Sequence, residues 1–254
     1  MAECLIAAIL IAVALENQYL DLISGSSQSP LASVTRAILA CAELPYSALM
    51  RLRNHAYQQG WKKSHSTGRS TISVGNITAG GTGKTPVVEW VANMLRRYGR
   101  RPAILMRGYR KRGSDASDEQ MLLQSQLPGT IVEANADRIA GAASALARDP
   151  GIDCFILDDG FQHQRARRDF DLVLINAAEP FGFRHVHPRG LLREPLIGLA
   201  RASAILITHA SEVAPEQLLQ TQDEIRRYSS APIFHCDHVN TEIISASGEL
   251  RELP

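Results

Sequence analysis

The sequence predicts an α/β fold, a doubly wound and mostly parallel sheet, preceded by a helical segment suited to a membrane surface. Three observations lead there. From residue 71 onward, short β-branched apolar runs alternate with amphipathic stretches. The first 70 residues lack that alternation and carry an apolar stripe beside a run of basic residues. A glycine-rich loop joins the first strand of the series to its first helix. Strands alternating with helices imply parallel strands covered on both faces, with ligands at the carboxyl ends of the strands.

Residues 1–23 read as an apolar extension. The unbroken run from Cys4 to Leu15 is shorter than the about 20 residues a bilayer span needs. Glu3 precedes it and no positive region does, which fits a cleaved signal peptide poorly. A peripheral or buried helix is expected. Residues 24–70 follow as an amphipathic, basic segment. Ser24 to Pro30 is linker-like, and residues 31 to 58 read as helix, interrupted near Pro45. Val34, Ile38, Cys41, Leu49 and Leu52 form an imperfect stripe, and Arg51, Arg53, Lys62, Lys63 and Arg69 have no acidic residue between them. Apolar faces bury in an interface while basic heads attract anionic lipid. A soluble helix docked on its own domain fits these residues equally.

Residues 71–230 read as the core. Its strands are expected at Thr71 to Val74, Ala103 to Met106, Thr130 to Val132, Cys154 to Leu157, Asp171 to Ile175, Ala204 to Ile207 and Pro232 to His235. Helices are expected at Pro86 to Tyr98, Ala136 to Ala147 and Pro215 to Tyr228. Residues 231–254 begin a second lobe, so the last strand lies at that border. No internal repeat is visible.

Composition narrows the classes. With 27 Lys and Arg against 26 Asp and Glu and 45% apolar residues, the chain is neither disordered nor a nucleic-acid-coating protein. Its cysteines, Cys4, Cys41, Cys154 and Cys236, stand far apart without the spacing of a zinc or redox motif, which points to free thiols in a reducing compartment.

The strongest chemical signal is ISVGNITAGGTGKTP. In such a loop, glycines let backbone N–H groups face phosphate oxygens, the lysine neutralises the β and γ phosphates, and the hydroxyl binds magnesium. Thr78, Ala79, Gly80, Gly81, Thr82, Gly83, Lys84 and Thr85 form the loop, with Thr78 where the general spacing has glycine. The fold is therefore expected to be of the P-loop NTPase type. The second signal, CFILDDGFQH, is an apolar strand ending in Asp158 and Asp159, placed to deliver a carboxylate to the metal. After Ile207 the residues Thr208, His209, Ala210 and Ser211 lack a guanine-reading signature, so ATP is the expected nucleotide. Arg107, Tyr109 and Arg110, and the group Pro188, Gly190, Arg193, Glu194 and Pro195, lie in loops or at strand ends, where arginines offset charge on a transferred phosphoryl group. His185 and His187, and the run His235, Cys236, Asp237 and His238, could hold a metal but show no matching partner set.

In order, GNITAGGTGKTP, RGYR, SDEQ, LDDGFQH and HPRGLLREP resemble the motifs of the tetraacyldisaccharide 4'-kinase (lipid A kinase) family over residues 21 to 254. The resemblance implies transfer of the ATP γ-phosphate to the 4'-hydroxyl of a tetraacylated disaccharide 1-phosphate. It places the enzyme peripherally on the cytoplasmic face of the inner membrane, held by the basic helical segment. Carried over by position, Lys84 holds the phosphates, and Thr85, Asp159 and Glu194 organise Mg2+. Asp118 is the base for the sugar hydroxyl, Arg193 meets the moving phosphoryl group, and Asp158 supports the metal or nucleophile. Arg138 and His163 touch substrate. The DE pair stands in SDEQ where the family usually has GDEP. The resemblance also implies a lobe continuing past Pro254, with a histidine that pairs with the base, and marks the opening 20 residues as an addition. Two alternatives stay open: a membrane-associated ATP-binding protein without catalysis, and a P-loop kinase for another sugar or lipid.

Overall fold

The computed structural model describes residues 14, 15, 17–108, 118–237, 242–244 and 250–252. The run from Cys4 to residue 13, Tyr109, Arg110, Ser117 and His238 lie outside the described residues. The chain forms two compact units. One holds the described residues up to Lys63 with Ile77–Gly80 and Glu179–Gly198; the other holds Ser64–Asn76, Gly81–Ala178 and the described residues from Leu199 on.

The second unit is built on a seven-stranded sheet, all parallel, in the order β3-β2-β4-β1-β5-β6-β7. The strands are β1 (Ser70–Asn76), β2 (Pro102–Met106), β3 (Ile131–Ala134), β4 (Cys154–Asp158), β5 (Phe170–Asn176), β6 (Ala204–Thr208) and β7 (Ile233–Cys236). Each of the expected apolar runs is a strand. A short antiparallel pair, β8 (Glu242–Ile244) and β9 (Leu250–Glu252), follows. The helices of this unit are α3 (Lys84–Arg97), α4 (Asp118–Gln126), α5 (Arg138–Arg148) and α6 (Pro215–Arg226).

Alternation along the strands divides the core in two. Val74, Ile104, Ile156 and Leu174 face one side and pack on Val87, Val88, Val91 and Ala92 of α3 and on Leu123 of α4. The residues between them, Ala103, Leu105, Phe155 and Leu157, face the other side and pack on Ala142 and Ala145 of α5. Helices thus lie on both faces, as a doubly wound sheet requires, and among the described residues those on the α3 side leave part of the sheet open. There Leu172, Leu206 and Phe234 line an apolar groove of about 620 Å3 with Trp90 and Met94, and no described helix closes it.

After β1 the chain winds outward through β2 and β3, returns to β4, and then crosses β1 to reach β5. Ligand crevices form outside the carboxyl ends of strands at such a reversal. The strand ends Asn76, Asp158, Asn176 and Thr208 are therefore the positions to inspect.

The first unit contains α1 (17–24) and α2 (Pro30–Gln58). Ser29 caps α2 by accepting from the Ala32 amide at 3.1 Å, and Pro30 supplies the preset φ of a first helical residue. The expected interruption at Pro45 does not occur; α2 runs through it as one helix. Pro45 and Cys41, whose carbonyl loses its helical donor, are both exposed, so the lost bond lies on the outer face.

That outer face is the apolar one. Leu31, Val34, Ile38, Leu49 and Leu52 are each more than half exposed, whereas the inner face carries Arg36, Glu43, Tyr46 and the buried Asn54. Soluble helices place their apolar side inward; this one is reversed. Among the described residues no helix is long and apolar enough to cross a membrane.

Candidate functional site

In the sheet unit, the glycine loop leads into α3, whose N-cap Gly83 sits at φ 69°, in the left-handed region open to glycine. Strand-end side chains brace the loop. Asn176 Nδ2 donates to the Gly81 carbonyl at 3.2 Å, and Thr208 Oγ1 donates to the Thr82 carbonyl at 3.3 Å. Lys84 Nζ donates to Asn76 Oδ1 at 3.3 Å, while Gln162 Nε2 donates to the Asn76 carbonyl at 2.9 Å. Thr82 Oγ1 is buried and has no hydrogen-bond partner among the described residues, an acceptor and donor left for a ligand. Thr85 lies in the first turn of α3, where the helix dipole favours anions.

Asp158 ends β4 and Asp159 follows it in the turn, as the motif requires. Burial, then the charges of Asp159 and Glu119, push the Asp158 carboxyl up to about 6, against the opposing pull of Lys84 and Arg138. Acid groups crowded in this way are relieved by a cation. Asp159 has φ 53°, a left-handed conformation costing of order 1 kcal/mol for a residue with a Cβ. The loop after it approaches β1 so closely that a Cβ on Gly75 would lie 2.7 Å from the Phe161 amide nitrogen, which explains glycine there. Among the described residues no group of three or more His, Cys, Asp or Glu is arranged to hold a metal. Magnesium characteristically takes one or two carboxylates together with phosphate oxygens and water. Thr85 with Asp158 and Asp159 fits that need.

Asp118 opens α4, exposed, beside Glu119. Arg138, buried at the start of α5, donates through Nη2 to the Asp158 carbonyl at 3.3 Å. Burial, followed by Arg138 and Arg168, lowers the His163 imidazole to about 4, and its buried Nε2 has no hydrogen-bond partner among the described residues. His163 is thus neutral near pH 7.

In the other unit, Ile77–Ala79 pairs with Leu191–Arg193. Ala79 donates to the Leu191 carbonyl at 2.7 Å and Arg193 donates its amide to the Ile77 carbonyl at 2.8 Å, around an antiparallel bridge of Thr78 with Leu192. The start of the glycine loop, Thr78 to Gly80, is thereby set beside Arg193 and the fully buried Glu194.

A family model for tetraacyldisaccharide-1-P 4'-kinase, LpxK, matches residues 35–253. The chain belongs to the tetraacyldisaccharide-1-P 4'-kinase family. It is 37% identical over 243 residues to the tetraacyldisaccharide 4'-kinase of Syntrophotalea carbinolica, a match over 89% of this chain and 65% of that protein. With the enzyme of the same name from Anaeromyxobacter dehalogenans it shares 36% identity over 239 residues, 88% of this chain and 62% of that one. A crystal structure of LpxK from Aquifex aeolicus in complex with ATP superposes with a TM-score of 0.68 at 31% identity, covering 79% of this chain and 64% of that one. The chain thus spans just under two thirds of the length of these relatives.

Within this kinase-family frame, several site residues escape motif reading. Asn76, Asn176 and Thr208 brace the glycine loop from strand ends, and only the register of the sheet brings them there. Glu119 acts on Asp158, whereas the motif singled out its neighbour Asp118. Asn54 meets Glu194 across 140 residues of sequence. Asn76 lies within the quoted glycine motif and Glu119 within SDEQ, so a signal was present for both; nothing in the sequence ties Asn54, Asn176 or Thr208 to its partner.

Proposed function

We propose that this chain is the nucleotide-binding part of a kinase that moves the γ-phosphate of ATP to the 4'-hydroxyl of a tetraacyldisaccharide 1-phosphate, working at a membrane surface. The observation that carries the reading is the convergence of Lys84, Asp159, Glu119 and Arg138 on Asp158, beside an intact GKT loop in a chain of this kinase family. Lys84 and the loop amides would neutralise and align the phosphates; Thr85, Asp159 and Glu194, with Asp158 in support, would hold Mg2+. When bound, that ion supplies charge neutralisation on the β and γ phosphates.

The remaining steps fall to side chains. Asp118 accepts the proton of the attacking hydroxyl at a carboxylate oxygen. Arg193 meets the charge that develops on the moving phosphoryl group, and the β phosphate keeps the electron pair of the breaking bond. His163, neutral and with a buried Nε2 that has no partner among the described residues, can hydrogen-bond a sugar hydroxyl, and Arg138 keeps the Asp158 carbonyl and the start of α5 in place. Catalysis of this kind is positioning and electrostatics, without a covalent enzyme intermediate.

The reversed amphipathy of α2 supports the surface location. Five large aliphatic side chains exposed on one face, with Arg51, Lys62 and Lys63 nearby in the sequence, suit partition into a headgroup region. The substrate class, a lipid whose acyl chains stay in the bilayer, requires such a location. The test is transfer of labelled phosphate from ATP to the disaccharide in mixed micelles, with the parent protein and Lys84→Ala. Loss of at least about a hundredfold in Lys84→Ala is expected. Equal turnover by both would refute the assignment.

A further inference from the structure

The inner face of α2 does more than dock. Glu43, Tyr46 and Asn54 lie on it together, and each grips the segment that leads to Arg193 and Glu194. Glu43 accepts the Val186 amide through Oε1 at 2.8 Å and pairs with His185 Nδ1 through Oε2 at 2.8 Å. Tyr46 donates its hydroxyl to the Arg193 carbonyl at 3.0 Å. Asn54 Nδ2 donates to Glu194 Oε2 at 2.6 Å.

The last contact stands apart because both partners are buried, Asn54 at 8% and Glu194 at 0% exposure. Asparagine is a poor helix former, and a buried polar side chain in a helix interior costs stability unless its hydrogen bonds are made. A carboxylate withdrawn from water likewise needs donors around it. The Asn54 amide meets part of both needs, donating to one carboxylate oxygen and so restricting how the carboxylate can turn.

We propose that Asn54 is a positioning residue whose side-chain amide holds the Glu194 carboxylate in the orientation from which it ligates a divalent cation. The inference rests on the kinase reading, in which Glu194 is a magnesium ligand, and adds a residue that no motif of the family supplied. It also makes the face of α2 opposite the exposed aliphatic stripe part of the site's support. Outer-shell partners of metal ligands characteristically contribute tenfold to a hundredfold in metal affinity.

The test measures ATP affinity by calorimetry in Mg2+ and in EDTA, and takes the ratio. For Asn54→Leu, which keeps the branching at Cγ and removes the donor, the ratio is expected to fall about tenfold or more. Asn54→Gln, which keeps an amide, should recover part of it. Adding Asn54→Leu to Glu194→Gln should lower the ratio no further than Glu194→Gln alone. Thermal unfolding without ligand is recorded in parallel, since a merely structural Asn54 would lower the midpoint and leave the ratio intact. Asn54→Ala provides the same comparison if the leucine variant does not fold. A parent-like ratio in a folded variant overturns the inference. A parent protein that binds no ATP, or binds it equally with and without Mg2+, overturns the kinase reading itself and this inference with it.

Discussion

At the scale of single residues, the site is held at some expense of stability, and that expense is measurable. The Asp158 carboxyl stands at about 6 in the folded chain against 3.8 ordinarily. The folded state therefore holds this proton more tightly, and stability from this group falls as pH rises from about 4 to 6. About two units correspond to about 3 kcal/mol of strain above pH 6. Asp158→Asn should accordingly raise the metal-free stability at pH 7 by about 1 to 3 kcal/mol in urea unfolding while abolishing transfer. His163 works in the opposite sense. Its imidazole lies at about 4 against 6.5, so its contribution is present above pH 6.5 and is lost as pH falls toward 4. In the parent the two slopes oppose each other between pH 4 and 6; in Asp158→Asn the histidine slope should stand alone, with stability climbing over that range. Asp159→Gly, which relaxes a left-handed backbone, should stabilise by up to about 1 kcal/mol and also lose activity. Residues at this scale were legible only where a motif carried them. Lys84, Thr85, Asp158 and Asp159 sit in strings with a mechanism attached, whereas Asn54, Asn176 and Thr208 acquire their partners through strand register and helix docking, which no local pattern encodes.

At the scale of elements, α2 governs two predictions. Its exposed aliphatic side chains contribute little to folding, so Ile38→Asp and Leu52→Asp should each leave the unfolding free energy within about 0.5 kcal/mol. Together they should reduce co-sedimentation with phosphatidylglycerol-containing vesicles several-fold; unchanged sedimentation would argue against a surface role. Pro45 lies within the helix on its exposed face, so Pro45→Ala should stabilise by about 1 to 3 kcal/mol. The elements themselves were largely readable. The central strands β1, β2, β4, β5 and β6 announce themselves by apolar runs, because strands buried on both faces need one, and the edge strands β3 and β7 carry shorter ones. Two features were not readable. Helix α4, DEQMLLQSQ, has no clear apolar period and only Leu123 buried, so it forms by packing against the sheet. The continuity of α2 through Pro45 depends on the lost hydrogen bond facing outward, which becomes visible only once the buried face is known.

At the scale of the whole molecule, the chain is a P-loop α/β unit with a companion unit assembled from three separate stretches of sequence. Those stretches are the α1 and α2 region, the first residues of the glycine loop and the segment through Glu194, so the companion unit is defined by contacts between distant parts of the chain rather than by a boundary in it. This is why the sequence reading delimited a basic helical segment and a core but did not see that Thr78 to Gly80 and Arg193 share one unit. The central claim is that the glycine loop of this chain grips a metal-bound triphosphate. Isothermal calorimetry of the purified chain with ATP and Mg2+ tests it most directly. The expected result is saturable one-to-one binding that weakens at least tenfold in Lys84→Ala, since a charge-assisted contact is worth about 1.5 to 3 kcal/mol. No heat of binding in the folded parent protein, or equal affinity in the variant, would contradict it.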